Sequence, residues 1–472
     1  MQHNMPIRDV LVIYTDQWRW DALGSMGSPA QTPHLDALAA RGTLFDHAFV
    51  QSPVCMPSRV SMLTGRYPSN LGITHMGVPV PESIETVAST LSRRGWHTAN
   101  VGKLHFLPHA NRDHSLPHPR YGFDVLALSD EPGVYEDDYR AWVRATCPAA
   151  LDELSSGLPP AADTWQQAMS VESDIVHQHA GPRDDYAHVR TFEHGEELTH
   201  SAWVGTRTVE HLRSLSPHER SFTIASFFSP HAPYHVPQRF LDLYDLESLP
   251  LPALTDSERE HQASTGLTDE RLREIRHGYF AAISEVDHQV GRILAELDRS
   301  GRAASTLVVF TSDHGEWLGD HLRLSKGFPA DDAVSRVPLI VSAPDHPAAQ
   351  RENQIVEAVD IAPTVLTALG VPVPPTMQGR SLLPLVHGTG TPASRGPQIA
   401  ITEHLGWRSI RTPDYRYVIT RDGSEHLWDL SSNPLNEVEV DVDRASLLAE
   451  HRRRLVQRTL EVEQPLPRTW AY

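Results

Sequence analysis

The sequence predicts a three-layer α/β fold with a large mixed, mostly parallel sheet, followed by a small C-terminal antiparallel sheet with one helix. Short apolar runs rich in β-branched residues recur along the chain, and such runs suit strands that are buried on both faces of a sheet. Helical stretches separate these runs, and this alternation is typical of parallel α/β sheets. At 472 residues, the chain is also long enough to bury a large core and to form more than one unit.

Five apolar runs are the clearest predicted strands, and readable helices lie between them. The runs cover residues 9–16, 95–103, 221–230, 305–315 and 337–344. After the first run, Thr32 is a candidate N-cap, Pro33 suits the first helical position, and Gly42 suits the end of the same helix. Apolar residues at helical spacing predict a longer helix over residues 271–297.

The rest of the chain interrupts or follows this alternation. Residues 131–200 are rich in Asp, Glu, His, Pro and Ala without clear periodicity, which predicts an insertion over the core. Residues 371–395 carry many Pro and Gly residues and predict a linker. The segments after it and a final helix near 444–461 predict the antiparallel sheet with its packed helix. We therefore expect a main α/β domain over 1–385 and a smaller α+β subdomain over 386–472.

Composition argues against several classes of protein. The chain has 41 Lys and Arg against 60 Asp and Glu, a formal net charge of −19, which argues against a general nucleic-acid binder or a basic membrane-surface protein. A small anionic substrate stays compatible with this charge, because a local cationic pocket can outweigh a distant negative surface. The two cysteines, Cys55 and Cys147, cannot form a disulfide framework, and no apolar stretch approaches the length of a spanning helix. Since the first apolar run is too short for a signal peptide, we expect a soluble, cytoplasmic protein.

Polar side chains end four of the predicted strands. They are Asp16 and Gln17, Lys103 and His105, His231, and Asp313 and His314. In open α/β sheets, ligands bind outside the carboxyl ends of the strands. One such end alone is well explained as a polar turn, but four ends with metal-ligating or proton-transferring groups favour a common site.

The surroundings of Cys55 favour an anion-handling nucleophile. Pro57 suits the first turn of a helix and Gly65 its end, so Cys55 lies where the helix begins and feels the positive end of the helix dipole. Arg59 adds a cation one turn further on. A lone cysteine is more commonly a small buried hydrophobic residue, and that is our interpretation of Cys147.

Residues 55–66 read CMPSRVSMLTGR and resemble the type I sulfatase signature C-x-P-S-R-x-x-x-L-T-G-R. The similarity extends over most of the chain. It includes TDQ (15–17), VGKLHF (101–106), SPHAPYHVP (229–237), SDHGEWLGDH followed by Lys326, and two C-terminal landmarks at 359–371 and 426–440. That family belongs to the alkaline phosphatase superfamily, so the resemblance implies an alkaline-phosphatase-like fold, in agreement with the strand alternation.

The resemblance implies a formylglycine-dependent hydrolase of sulfate monoesters that uses one divalent metal. In this family a maturation enzyme converts the cysteine at the position of Cys55 to formylglycine, and the hydrated aldehyde attacks sulfur and then releases sulfate. Carried over by position, the metal ligands are Asp16, Gln17, Asp313 and His314.

The other family residues bind the anion or transfer protons. By resemblance, Arg59 and Lys103 would hold the formylglycine and the oxyanion, and His105 would be the base that allows sulfate to leave. His231 and Lys326 would bind sulfate oxygens, with His231 donating a proton to the leaving oxygen. The alternative for Lys326 is a solvated loop lysine.

The metal-ligand set departs from the pattern of many sulfatases. Many relatives have an Asp pair at the first position and Asp-Asn at the second, whereas this chain has Asp-Gln at 16–17 and Asp-His at 313–314. Ca²⁺ is the expected ion, and the imidazole softens the site, which makes Mn²⁺ compatible as well. The same set resembles phosphonate monoester hydrolases, which also use formylglycine. Since Lys103 and His105 match the sulfatase element, sulfate esters are the preferred substrates, and hydrolysis of phosphonate monoesters or phosphodiesters is the alternative.

Further alternatives and several residues stay open. A non-catalytic binder of sulfated ligands is disfavoured because the nucleophile, the arginine, the metal ligands and the acid are all present. A two-metal phosphatase is disfavoured because it needs Ser or Thr at the nucleophile position. Asp320 and His321 are expected to contact the metal ligands or to be structural, and His75 has no assigned role. His194 and His200 are expected to lie on a solvated helix face, and the alternative is that they face the substrate if the insertion folds over the pocket. The natural substrate stays open. The oligomeric state also stays open, although relatives are commonly homo-oligomers.

Overall fold

This computed structural model describes residues 6–108, 114, 116–155, 157, 185–344, 349–389, 396, 398–431, 438–439 and 445–463. Its strands are β1 Asp9–Thr15, β2 Thr43–Phe49, β3 His97–Gly102, β4 Val125–Leu128, β5 Val189–Thr191, β6 Ser221–Ser226, β7 Tyr234–Val236, β8 Thr306–Ser312, β9 Arg336–Ser342, β10 Gln350–Glu357, β11 Ala400–His404, β12 Trp407–Arg411, β13 Tyr415–Thr420, β14 Glu425–Asp429 and β15 Val438–Glu439. Its helices are α1 Pro33–Ala39, α2 Cys55–Thr64, α3 Pro68–Leu71, α4 Val87–Ser92, α5 Asp138–Thr146, α6 His200–Ser214, α7 Gln238–Leu241, α8 Asp256–Thr265, α9 Asp269–Arg299, α10 Asp332–Ser335, α11 Ile361–Ala368, α12 Leu383–Val386 and α13 Ala445–Val462.

Eight strands form one large sheet in the order β10-β2-β9-β8-β1-β6-β3-β4. Neighbouring strands are parallel, except that β9 runs antiparallel to β2 and β8. Five of these strands, β1, β3, β6, β8 and β9, fall on the five predicted apolar runs. The prediction of a large mixed, mostly parallel sheet is therefore confirmed.

Helices cover both faces of this sheet, which gives the three predicted layers. Leu11 and Ile13 of β1 pack into the core that contains α6 and α9, and Val10 and Val12 pack into the core that contains α2, α4 and α11. Because both faces of β1 are buried, its central residues are apolar without alternation. The predicted long helix is α9, and it extends two residues beyond the prediction at each end.

The first predicted helix forms with Thr32 at its N-cap position, but the Thr32 side chain makes no capping hydrogen bond. α1 begins at Pro33, as predicted. The Thr32 hydroxyl accepts a hydrogen bond from the Gly24 N–H and donates one to Asp36, and it does not cap α1. The helical residues end at position 39, three residues before Gly42. The Thr32 side chain therefore stabilises the preceding turn rather than the helix.

Two segments that were predicted to be irregular carry structure. The predicted insertion at 131–200 includes α5 and β5, although 158–184 lies outside the described residues. The predicted linker at 371–395 holds α12, and Leu382 and Val386 are buried against the core. The linker prediction is wrong for α12, because this part of the chain packs on the core. The Pro and Gly residues around it mark turns rather than a free connection.

β11 to β15 form a second, antiparallel sheet, and α13 packs against it through Leu455 and Val462. This confirms the predicted small sheet with one helix. The sheet meets the larger one at β11, where the Thr402 hydroxyl donates to the carbonyl of Val50 at 2.7 Å. The boundary between the two predicted units stays a prediction. No helix in the described part of the chain combines the length and apolar character that crossing a bilayer requires.

Candidate active site

Two neighbouring central strands of the large sheet bring two carboxylates together at their carboxyl ends. Asp16 follows β1 and Asp313 follows β8, and these parallel strands pair in register up to their last residues. One ligand atom from each of Asp16, Cys55, Asp313 and His314 lies within 4.8 Å of the others, and all four residues are buried. Residues that the sequence placed at separate strand ends and at a helix start therefore form a single cluster.

The Cys55 side chain lies at the start of α2, in contact with this cluster. α2 begins at Cys55 and ends at Gly65, which has a left-handed φ of 63°. The sulfur lies 2.8 Å from Lys326 Nζ, 3.2 Å from His314 Nε2 and 3.7 Å from Asp16 Oδ1. Because the first N–H groups of a helix have no partner within it, this position favours negative charge.

Arg59 connects the cluster to two strands of the large sheet. Its Nε donates to Asp313 Oδ2 at 2.6 Å, and its Nη1 donates to the Lys103 carbonyl and to Ser226 Oγ, each at 3.0 Å. Arg59 is 1% exposed. The guanidinium thus fixes one carboxylate oxygen and the ends of β3 and β6 at the same time.

Two lysines form the cationic side of the cluster, and His231 lies against one of them. Lys103 Nζ lies 2.7 Å from Asp16 Oδ2. Lys326 Nζ lies 3.2 Å from the Nε2 atoms of His231 and His314. The structure therefore places Lys326 inside the cluster rather than in solvent.

Burial and charge together shift the protonation of these groups. Burial opposes ionisation of Asp16, but the neighbouring cations, Lys103 first, hold its pKa well below its ordinary value. Burial opposes the charge on Lys103, yet Asp16 raises its pKa. Burial and the Asp16 carboxylate raise the pKa of the Cys55 thiol to about 11. Burial lowers the pKa of His314 to about 4. At neutral pH the imidazole is therefore neutral and able to ligate a metal, while the thiol is protonated and a weak nucleophile.

Gln17 directly follows Asp16 and has a buried side-chain amide oxygen. Its backbone has φ 70°, and its N–H donates to Asp313 Oδ1 at 3.1 Å. Its side-chain nitrogen donates to the Tyr186 hydroxyl at 2.6 Å and to Glu316 Oε2. Its amide oxygen is buried and has no hydrogen-bond partner among the described residues.

The donor set at these strand ends fits a divalent cation. Asp16 and Asp313 offer carboxylate oxygens, His314 offers Nε2, and all lie within 4.8 Å of one another. A buried amide oxygen without a partner is costly unless something binds it, and a cation ligated by Gln17 would satisfy it. Three oxygens and one imidazole are compatible with Ca²⁺ and with Mn²⁺.

His105 lies in the turn after β3, two residues beyond Lys103. It is buried and has a left-handed φ of 55°. Its N–H and that of Leu104 donate to Asp130 Oδ1 at 2.9 and 2.7 Å. Asp130 stood in no quoted motif, and Glu316 stood in the motif at 312–321 without an assigned role, because each acts through atoms that only the folded chain brings together.

The histidines left open by the sequence have other surroundings. His194 contacts Glu153, and His321 Nδ1 lies 2.8 Å from Glu258 Oε1. His200 is buried at the start of α6, so its prediction on a solvated helix face is wrong. The contact with Glu258 is compatible with a structural role for His321, which stays a prediction.

The chain matches known proteins in sequence and in fold. A family model described as Sulfatase matches residues 8–371, and a model described as N-sulphoglucosamine sulphohydrolase, C-terminal, matches residues 319–459. An arylsulfatase of Clostridium perfringens is 28% identical over 465 residues, covering 90% of this chain and 88% of the relative. A choline-sulfatase of Rhizobium meliloti is 27% identical over 480 residues, covering 93% and 85%. Among solved structures, a phosphonate monoester hydrolase of Agrobacterium radiobacter has a TM-score of 0.79 at 25% identity, covering 98% of this chain and 97% of that one.

Proposed function

The chain belongs to the sulfatase family and is a sulfuric ester hydrolase, and from this premise we propose that it works through a formylglycine made from Cys55 and one divalent cation. The observation that carries the proposal is the position of the Cys55 side chain, buried among Asp16, His314 and Lys326. A thiol whose pKa is raised to about 11 is a weak nucleophile at neutral pH. A hydrated aldehyde there would supply two hydroxyls on one carbon, one to attack sulfur and one to release sulfate.

We propose Asp16, Gln17, Asp313 and His314 as the ligands of the cation. Ca²⁺ is the proposed ion because three of the four donors are oxygens, and Mn²⁺ is the second candidate because of the imidazole. When bound, the cation would supply positive charge that polarises the sulfate and favours the ionised nucleophile. The lowered pKa of Asp16 and the neutral His314 leave both side chains ready to ligate without losing a proton.

The cationic side chains of the cluster would bind the sulfate group. A protein with a net charge of −19 repels anions at long range, so a local positive site is needed. Lys103 and Lys326 converge on Asp16 and Cys55, and both lysines have raised pKa values because their anionic neighbours outweigh burial. Positive groups that are already positioned stabilise developing negative charge without reorganisation.

Two histidines are proposed to transfer protons. The His231 Nδ1 lies 2.6 Å from the carbonyl of Ala232, and a carbonyl can only accept, so this nitrogen carries a hydrogen. The other nitrogen, Nε2, lies 3.2 Å from Lys326 Nζ. When the imidazole is doubly protonated, Nε2 carries the proton that would go to the leaving oxygen. His105 is the proposed base for release of sulfate.

The direct test is the chemical state of residue 55. The protein is produced with and without a formylglycine-generating maturation enzyme, the proposed partner in biosynthesis, and digested peptides are weighed. We expect the Cys55 peptide to change from thiol to aldehyde only when the enzyme is present. The Cys147 peptide in the same digest is the matched control and should keep its thiol. Full sulfatase activity from protein whose Cys55 peptide is entirely thiol would contradict the proposal.

Substitutions of Cys55 separate its chemical role from a structural one. Cys55→Ala should abolish turnover of an aryl sulfate and leave the protein folded, because a methyl group fits at the start of α2. Cys55→Ser should also be nearly inactive, because a serine can accept the sulfuryl group but has no second hydroxyl to release it. Circular dichroism checks the fold, and loss of soluble protein on Cys55→Ala would indicate a structural cysteine instead.

The second candidate function is hydrolysis of phosphonate monoesters or phosphodiesters. It is favoured by the similarity to the phosphonate monoester hydrolase, whose chain matches 98% of this one, and by the Asp-Gln and Asp-His ligand set. The two functions are distinguished by kcat/KM on an aryl sulfate and an aryl phosphonate monoester with the same aryl group. We expect the sulfate to be the better substrate, and a preference for the phosphonate by several orders of magnitude would reverse the order of the two candidates.

A further inference from the structure

Glu316 lies two residues after His314 and accepts hydrogen bonds at both of its oxygens. It is 1% exposed. Oε2 accepts from the Gln17 side-chain nitrogen and lies 3.4 Å from the Tyr186 hydroxyl. Oε1 accepts from the N–H of Leu318 at 3.1 Å and from the N–H of Ser325. One carboxylate thus joins a proposed metal ligand to the loop at 317–326.

These contacts determine which end of the Gln17 amide faces the carboxylate. Oε1 of Glu316 accepts from two backbone N–H groups and Oε2 accepts from the Gln17 side-chain nitrogen, so the nitrogen end of the amide faces the carboxyl group. The nitrogen also donates to the Tyr186 hydroxyl at 2.6 Å, which uses both of its hydrogens. The amide oxygen is left buried and without a hydrogen-bond partner among the described residues. It is therefore available to a cation held by Asp16 and Asp313.

We propose that Glu316 is a positioning residue for the cation site: it holds the Gln17 amide with its oxygen toward the cation. Through the N–H groups of Leu318 and Ser325 it also anchors the loop that ends at Lys326. The inference rests on the proposed metal site. Partners of metal ligands typically contribute a factor of about 10 to 100 in affinity, so the effect of Glu316 is measurable.

The substitution Glu316→Gln tests the orientation without disturbing the loop. The new amide oxygen can still accept from Leu318 and Ser325, which leaves its NH₂ group facing the NH₂ group of Gln17. Two donors cannot bond each other, so the Gln17 amide must turn its oxygen away from the cation. The turned amide is satisfied, because the Tyr186 hydroxyl can donate to it. We therefore expect a folded protein with cation affinity weakened at least about tenfold.

The exchanged pair Gln17→Glu with Glu316→Gln is the matched rescue variant. A carboxylate at position 17 can accept from the new amide with one oxygen and offer the other to the cation, whichever way it turns. The formal charge of the pair equals that of the wild type. Recovery of affinity to within a few-fold of wild type would therefore report orientation rather than charge.

The readout is the dissociation constant of Ca²⁺, and separately of Mn²⁺, measured by calorimetric titration of metal-free protein. It needs no turnover, and thermal unfolding of the metal-free proteins checks the fold. Wild-type affinity in Glu316→Gln would overturn the inference, as would an exchanged pair as weak as the single variant or a Glu316→Gln protein that does not fold. If the wild type itself binds neither cation, the proposed metal site is wrong. If the wild type binds a cation and Glu316→Gln binds it equally well, only the inference about Glu316 is wrong.

Discussion

Among single residues, Arg59 has the most constrained position in the site. Its guanidinium donates to Asp313 Oδ2, the Lys103 carbonyl and Ser226 Oγ while being 1% exposed. A buried charge is tolerated only when it is paired and hydrogen-bonded, and these three acceptors meet that condition. Five N–H donors in a rigid plane can reach all of them at once, whereas an ammonium group cannot.

The substitution Arg59→Lys should therefore remove most of the activity. We expect kcat/KM on an aryl sulfate to fall by at least about 100-fold, because Asp313 loses the donor that fixes it and one positive group is misplaced. The aldehyde content of residue 55 is measured in parallel, so that failed maturation is not counted as failed catalysis. Arg66→Lys is the control, since Arg66 lies in the same sequence motif but its Nη2 donates to the Asn70 carbonyl at 3.2 Å rather than to a residue of the cluster. Equal activity losses per aldehyde in the two variants would contradict this role of Arg59.

The sequence could predict the residues that end strands but not those that hold them in place. Asp16 and Asp313 follow apolar runs, and parallel strands put their ends at one edge, so their meeting was predictable. Glu316 lay in a quoted motif but had no assigned role, and Asp130 had no comparable signal. Their partners are the Gln17 amide and the backbone of residues 104–105, and a carboxylate in a loop is equally compatible with exposure to solvent.

At the scale of elements, α2 is the helix that carries the chemistry. All ten of its residues are buried, so it has no face exposed to solvent, and hydrophobic periodicity could not have revealed it. Pro57 and Gly65 predicted its ends correctly because they act through backbone geometry, which does not depend on the surroundings. By contrast α12, four residues long, is too short for any periodic signal, and tertiary contacts hold it on the core.

Gly65 ends α2 under two separate constraints, and a pair of substitutions can separate them. Its φ is 63°, and an added Cβ would lie 3.2 Å from Met377 Cγ. Gly72 has φ 71° with nothing within 4 Å of the added atom. Each Gly→Ala change should cost about 1 kcal/mol for the left-handed backbone, and Gly65→Ala should cost about 1 kcal/mol more for the contact. Urea denaturation gives both values. If the two losses are equal, Met377 yields freely and the end of α2 is less constrained than its geometry indicates.

At the scale of the whole molecule, buried ion pairs attach the small sheet to the segment that follows Lys326. Arg411 donates to both oxygens of Asp332 at 2.8 and 3.1 Å, and Arg416 donates to Asp331 at 3.0 Å. The partners are 79 and 85 residues apart in sequence. No local pattern predicts such a contact, which explains why the sequence analysis could identify two sheets but not how they are joined.

The Asp332 pair should make the stability of the whole molecule depend on pH in a defined direction. Burial opposes ionisation of Asp332, but Arg411 and Arg336 hold its pKa below the ordinary value. A lowered carboxyl pKa stabilises the fold at every pH above the unfolded value of about 4, and this contribution is lost as the pH falls toward the folded value. Asp332→Asn should therefore lower the free energy of unfolding by about 3 kcal/mol at neutral pH, because it leaves Arg411 without a charged partner. The difference from wild type should shrink progressively below about pH 4.

Glu450→Gln, which removes an exposed ion pair with Arg454 in α13, is the control and should change the free energy by at most about 0.5 kcal/mol. Denaturant titrations at a series of pH values measure both variants. A difference for Asp332→Asn that stays constant through the acid range would show that the pair does not contribute through its charge.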